Sequence, residues 1–348
     1  MKKFVSQLIV ATIASVYGLL VSCYLLISMV KNGSKYFYIK RRDVPPDCLQ
    51  DPDLGTHHYV QLKQIRMHYV SKGDPLTAKQ TLLFIHGFPE FWYSWRHQIR
   101  EFGGGGGGNN GDDYHVIAVD NRGYGQTDQP RGIHNYTIDK IVDDFRDLLT
   151  ELRLRNVVLV AHDWGGAIGW GFALKYPELV SKLIIINSPH PMMYREARAQ
   201  GWQQFFLSWY MFFFSLPKLP ELALQSNDYY IFDYSFRKAN GQPVLGPGDN
   251  LDAYKYTFHR SGFTGPLNWY RAMIWGYNTA VQPSNGYRVS TIPTLIIWGT
   301  KDSYLSPQLA AAHKYVDNLT VRYIDGCSHW TQMEEPLVVN KYIRDFIQ

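Results

Sequence analysis

The first 42 residues contain no acidic side chain, and from Phe4 to Val30 there is no charge of either sign. That run exceeds the roughly 7–15 apolar residues of a secretory signal and reaches the roughly 20 needed to span a bilayer. Cysteine is scarce throughout. The three present, Cys23, Cys48 and Cys327, form no CxxC pair and cannot make a disulfide framework, so no bridge is expected. Neither a metal ion nor a cofactor is expected. The net charge of +5 does not amount to a basic face, because residues 1–42 hold seven Lys/Arg and leave 28 basic against 30 acidic residues downstream. This excludes a nucleic-acid footprint.

The basic residues belong to the apolar run they flank. Five of them (Lys31, Lys35, Lys40, Arg41 and Arg42) follow it and outweigh Lys2 and Lys3 before it. The positive-inside tendency therefore puts the downstream side in the cytoplasm. The expectation is a retained single-pass membrane helix over residues 1–30, contacting lipid through 4–30, in the endoplasmic reticulum. Sequons at Asn32, Asn135 and Asn318 would matter only in the opposite topology. Read this way the helix is an anchor alone, and a chain beginning near Tyr36 is expected to keep its activity without the membrane.

Downstream, residues 31–56 are polar and contain Pro45-Pro46, and are expected to form a linker. Alternation from His57 to Val70 predicts an antiparallel hairpin. Short apolar runs predict strands at Thr81–Ile85, Val116–Asp120, Val157–Val160, Leu183–Ile186, Thr294–Trp298 and Val321–Ile324. Helices are expected over 90–100, over Ile138–Leu152 with its 3.6-residue apolar period, near Pro307–Val316 and from Glu335. Strands alternating with helices predict an α/β fold, a mostly parallel sheet covered on both faces. The six glycines Gly103–Gly108 predict a surface loop without function. From about Pro189 to Asn285 the pattern changes, and between Trp202 and Tyr277 there are 21 aromatic residues in 76 positions against 15% overall. This segment reads as a helical insertion whose aromatics serve as core, as the inner face of a lid, or both.

Three residues stand just beyond strands. Asp163 follows Val157–His162 at a sharp turn flanked by Ala161 and Gly165, Asp302 follows Leu295–Thr300, and His329 follows Val321–Ile324. Each has a plain alternative: a helix N-cap for Asp163 or Asp302, a loop histidine for His329. Together they form a nucleophile, acid, histidine order along the chain. Asn187-Ser188 occupies the position after the preceding strand, where a rival acid would stand.

With the motifs His86-Gly87-Phe88-Pro89, Arg122-Gly123-Tyr124-Gly125, His162-Asp163-Trp164-Gly165-Gly166, Gly299-Thr300-Lys301-Asp302 and Gly326-Cys327-Ser328-His329-Trp330, the chain from about residue 58 resembles the α/β-hydrolase epoxide hydrolases. Its closest likeness is to their membrane-anchored branch. The residue patterns divide the chain into an anchor (1–30), a linker (31–56), a hydrolase core (57–188 and 286–348) and an inserted helical lid (189–285). The resemblance implies two lid tyrosines that donate protons to an epoxide oxygen, at Tyr210 and Tyr270. In that scheme Asp163 attacks carbon to form an alkyl ester, and His329, oriented by Asp302, activates the water that cleaves it. The backbone N–H groups of Phe88 and Trp164 would hold the oxyanion. The substrate expected is a lipophilic epoxide, with water as co-substrate and a role in lipid epoxide metabolism. Two rivals remain. A haloalkane dehalogenase would use Asp163 with halide on the Trp164 indole, and a silent membrane protein would keep the fold without turnover.

Overall fold

The computed structural model describes residues 2–104, 114–200, 207–245, 251–278, 287–289 and 291–348. Beyond Gly104, the loop expected from the glycine run lies outside the described residues, as do parts of the expected lid. Eight strands form one sheet in the order β1-β2-β4-β3-β5-β6-β7-β8. They are β1 (Thr56–Gln61), β2 (Arg66–Lys72), β3 (Thr81–Ile85), β4 (His115–Val119), β5 (Val157–His162), β6 (Val180–Ile186), β7 (Thr294–Gly299) and β8 (Leu319–Ile324). β1 and β2 pair antiparallel, and β2 runs antiparallel to β4. Every pairing from β4 through β8 is parallel.

The burial of the strands explains their composition. β3, β4, β5 and β7 are buried along their whole length, so each is a continuous apolar run, whereas the edge strand β1 is exposed on one side and alternates. Among the helices are α1 (Lys2–Asn32), α2 (Arg96–Phe102), α3 (Ile138–Glu151) and α4 (Trp164–Lys175). The apolar stripe of α3, including Ile141, Val142, Phe145, Leu148 and Leu149, faces the core. The expected helix over 90–100 is divided into a 3-10 turn at Trp92–Trp95 and α2.

After β6 come α5 (Pro191–Gln200), α6 (Trp209–Phe214), α7 (Leu219–Ser235), α8 (Leu251–Ser261) and α9 (Thr264–Ile274). They stand over the carboxyl ends of the parallel strands, and their aromatics do pack as a core: Phe232, Tyr254, Phe258 and Phe263 are buried against one another. α10 (Thr331–Glu334) and α11 (Pro336–Ile347) close the chain.

Two local readings change. No continuous helix spans Pro307–Val316; two 3-10 turns, Pro307–Ala310 and Ala312–Lys314, stand there. Val289 bridges Val316 and its N–H bonds the Tyr315 carbonyl, so tertiary pairing overrides helix propensity. The polar 31–56 segment is also packed more closely than its composition implies. Arg42, Leu49 and Leu54 within it are buried, and the Arg42 guanidinium binds Asp228 at two 2.7 Å contacts and reaches Asp252 at 3.3 Å.

Candidate active site

The β5–α4 junction places Asp163 in a backbone conformation with φ 50° and ψ −119°. A non-glycine residue there costs on the order of 1–3 kcal/mol, tolerated only where the surroundings impose it. β5, in the middle of the sheet, and the buried start of α4 impose it here. Although Asp163 precedes a helix, its side chain makes no capping hydrogen bond, so the N-cap reading does not account for it. One carboxylate oxygen instead accepts the Phe88 N–H at 2.9 Å, and the other lies 3.5 Å from Nε2 of His329. Ser188 Oγ donates to the Asp163 carbonyl at 2.7 Å.

His329 faces carboxylates from both sides. Its Nδ1 lies 2.7 Å from Asp302 Oδ2. Asp302 also accepts the backbone N–H groups of Tyr304 and Leu305, at 2.8 and 3.0 Å, and the Asn187 amide at 2.7 Å. It therefore holds the turn that follows as well as the histidine, but it caps no helix, since the next helical turn, Pro307–Ala310, has Ser306 at its N-cap. The three residues follow β5, β7 and β8, and so meet at the carboxyl edge of the sheet, where open α/β sheets place their sites.

Electrostatics bind the three into one unit. Burial alone would raise the carboxyl groups of Asp163 and Asp302, but the His329 imidazole outweighs it and holds both below the ordinary range. Burial would depress His329, yet the charge of Asp302, joined by the hydrogen bonds to both carboxylates, pushes it up to about 10. At neutral pH the resting site is an ionised Asp163 beside an imidazolium.

Above Asp163 lies a cavity of about 310 Å³, lined among others by Trp164, Tyr194, Tyr210, Met211, Tyr270 and Leu305. Tyr210 comes from α6 and Tyr270 from α9; their rings are 6.1 Å apart, centroid to centroid. Both phenols are held well above their ordinary pKa, by burial first and then by nearby tyrosine and Asp163 charge. They remain proton donors at neutral pH. The Trp164 ring packs edge-on against Tyr270, their centroids 4.9 Å apart. A second cavity of about 460 Å³, lined by Leu49, His57, Trp92, Asp120 and Arg260 among others, contains none of these residues.

The remaining motifs hold the site in shape. Asn121 donates its backbone N–H to His86 Nε2 at 3.1 Å, which makes Nε2 an acceptor and gives Nδ1 the proton it shares with the Gly87 carbonyl. Trp269 of α9 donates to the Arg122 carbonyl at 3.0 Å, so the Arg122-Gly123-Tyr124-Gly125 loop seats the helix that carries Tyr270. Sequence reasoning noted Asn187 only as standing where a rival acid would be, and it passed over a buried pair behind the histidine. Glu90 accepts from the Gly87 N–H and the Gln332 amide and lies 2.7 Å from His162 Nδ1, while His162 Nε2 lies 2.9 Å from the His329 carbonyl. Glu90 was within reach, since it directly follows the His86-Gly87-Phe88-Pro89 motif. Gln332, 242 positions from Glu90, had no signal.

Comparison with known proteins places the whole chain among its relatives. The alpha/beta hydrolase fold family matches residues 80–336. Human epoxide hydrolase 4 is 39% identical over 333 residues, covering 93% of this chain and 88% of the human protein. Epoxide hydrolase 1 of Caenorhabditis elegans is 37% identical, covering 99% and 82%. Among solved structures, an epoxide hydrolase of Bacillus megaterium, complexed with its naphthyloxy-propane-1,2-diol product, superposes with a TM-score of 0.71. It is 30% identical, covering 83% of this chain and 99% of the bacterial one.

Proposed function

The chain belongs to the epoxide hydrolase family within the α/β-hydrolase fold, and from that membership we propose that it is a membrane-anchored enzyme converting lipophilic epoxides to vicinal diols through an ester on Asp163. The observation that carries the mechanism is the direction of the Asp163 carboxylate. It leaves the helix behind it uncapped and lies beside a backbone N–H, an imidazole and a cavity lined by two buried phenols.

In the first step Asp163 attacks an epoxide carbon, the C–O bond opens, and Tyr210 and Tyr270 hydrogen-bond the oxygen as charge develops on it. The proton that ends on this oxygen is balanced by loss of the one His329 carries at rest. Once Asp163 is esterified its charge is gone, so the imidazole loses one of the two carboxylates that raised its pKa and becomes a competent base. Water then adds to the ester carbonyl while His329 takes its proton. The Phe88 N–H, and that of Trp164 at the start of α4, where N–H groups have no intrahelical acceptor, hold the oxyanion. Collapse releases the diol and restores the carboxylate–imidazolium pair.

Anchoring is supported by the helix Gln7–Asn32, with a mean hydropathy of 2.1, and by the exposed Leu8, Ile9, Val16, Leu19, Leu20, Leu26 and Ile27 along it. The basic residues after this helix favour a single-pass arrangement with the catalytic side in the cytoplasm, and the membrane proposed is that of the endoplasmic reticulum. A lipophilic substrate suits both the anchor and the apolar cavity. The dehalogenase reading is weaker, because Phe88 offers no second halide donor and a leaving halide has no use for the two phenols that line the cavity. Turnover on a panel of lipid epoxides, styrene-type epoxides and haloalkanes tests the proposal. Diol formation is expected; halide release without diol formation would replace it with the dehalogenase reading.

A further inference from the structure

The N-terminal helix is fastened to the lid. On α1 the buried positions Ala14, Gly18, Leu25 and Ser28 and the half-buried Tyr17 and Val21 fall on one side at helical spacing, while Val16, Leu19, Leu20, Leu26 and Ile27 are exposed. Spacing of this kind is the seam of one helix packed along another. The partner is α6 with the turn after it. The rings of Tyr17 and Trp209 are 5.4 Å apart, and a Cβ added to Gly18 would lie 2.6 Å from Leu216 Cδ1.

α6 is the helix that carries Tyr210, and its far end is held by the helix that carries Tyr270. Arg271 Nη2 donates to the Leu216 carbonyl at 2.6 Å and pairs with Glu221, and Trp275 Nε1 donates to the Ser215 carbonyl at 3.1 Å. Beyond α1 the same attachment continues, since Arg42 grips Asp228 of α7 and Asp252 of α8. The N-terminal segment thus touches α6, α7 and α8 in turn, with Tyr17 against Trp209, the residue before Tyr210, and Gly18 against Leu216 just past the end of α6.

We propose that α1 is a positioning element of the lid, in which the Gly18–Leu216 contact holds α6 so that Tyr210 meets the substrate oxygen together with Tyr270. This rests on the epoxide reading above. The N-terminal helix then sets the geometry of ring opening besides tethering the enzyme; with α1 spanning the bilayer, Gly18 lies near the middle of its uncharged run, so the α6 face packed on it must enter the lipid with it. Trp209, beside Tyr17 on that face, is exposed.

The test uses the full-length protein in phosphatidylcholine vesicles. Gly18→Leu keeps the helix apolar but drives a side chain into Leu216. Its kcat on a styrene-type epoxide is expected to fall about tenfold, less than the roughly 100-fold or more of losing an oxyanion donor outright. KM should change less, and the protein should stay in the membrane through an alkaline wash. Hydrogen exchange across residues 209–216 should quicken. In Gly18→Leu/Leu216→Ala the smaller partner makes room, and both kcat and exchange should return close to those of the unsubstituted enzyme, a rescue that general misfolding would not give. Unchanged kcat and exchange in Gly18→Leu, or a loss that Leu216→Ala does not repair, would overturn the proposal. If the unsubstituted enzyme opens no epoxide, the functional reading fails instead, and the exchange measurement, which needs no substrate, still decides whether α1 holds α6.

Discussion

Gly87 lies so close to Asp163 that a Cβ added to it would sit 2.5 Å from the aspartate Oδ1 and 2.5 Å from its Cβ. The loop after β3 therefore presses its backbone against the carboxylate, which brings the Phe88 N–H to hydrogen-bonding distance. Any side chain at position 87 must displace the very atoms that the proposed reaction uses. Gly87→Ala is expected to fold with a near-normal melting transition and to lose about 100-fold in kcat, the scale of a misplacement of roughly 1 Å at a reacting group. Full activity in this variant would mean that the Asp163 position is not what the reaction depends on.

The ester mechanism makes an isotopic prediction. If Asp163 attacks carbon, one of its oxygens leaves in the diol and is replaced from water. A single turnover in heavy-oxygen water should label Asp163 and give mostly unlabelled diol. Asp163→Ala should abolish turnover, whereas His329→Gln should open the epoxide and stall with substrate attached to Asp163. Label in the first diol formed, with no adduct in His329→Gln, would point to direct attack by water.

The two phenols are expected to act on ring opening. Tyr270→Phe should slow the single-turnover alkylation step by about 100–1,000-fold, the effect of removing one donor to a developing oxyanion. Tyr210→Phe should have a similar or smaller effect, and the double variant should be nearly inactive towards epoxides. Wild-type alkylation rates in the double variant would remove both residues from the mechanism.

The resting imidazolium has a consequence for stability. His329 is raised from an ordinary value of 6.5 to about 10 in the folded protein. Its contribution is complete below about 6.5 and is lost as pH rises through about 10, because across that window the folded state holds a proton that the unfolded chain has released. One proton corresponds to a slope of about 1.4 kcal/mol per pH unit. Thermal melts of the wild type and His329→Gln across this range should show the loss in the wild type alone. Parallel curves would place the imidazole outside the carboxylate pair.

Topology can be read from the sequons. With the catalytic side in the cytoplasm, Asn135 and Asn318 should carry no glycan after expression in a eukaryotic cell, as seen by an unchanged mobility on glycosidase treatment. A glycosidase-sensitive shift removed by Asn135→Gln or Asn318→Gln would reverse the orientation.

Local pattern was enough for much of this protein. The buried strands were legible as apolar runs because a strand covered on both faces admits little else. Asp163, Asp302 and His329 were legible because each follows such a run, and parallel strands deliver their ends to one edge. The uncharged stretch from Phe4 to Val30 declared its own helix. Tertiary structure alone decided what lies opposite. It brought Asn187 to Asp302 across 115 positions and Gln332 to Glu90 across 242, and it pulled Tyr315 and Val316 into pairing with Val289 where a helix was expected. It also turned the polar segment after the membrane helix into a clamp, with Arg42 on Asp228, 186 residues away. Most consequentially, it laid α1 along the helix that carries Tyr210, a packing that composition could not reveal. Periodicity reports which face of a helix is apolar; whether lipid or another helix covers that face depends on the shape and volume of residues distant in sequence, here Trp209 and Leu216 against Tyr17 and Gly18.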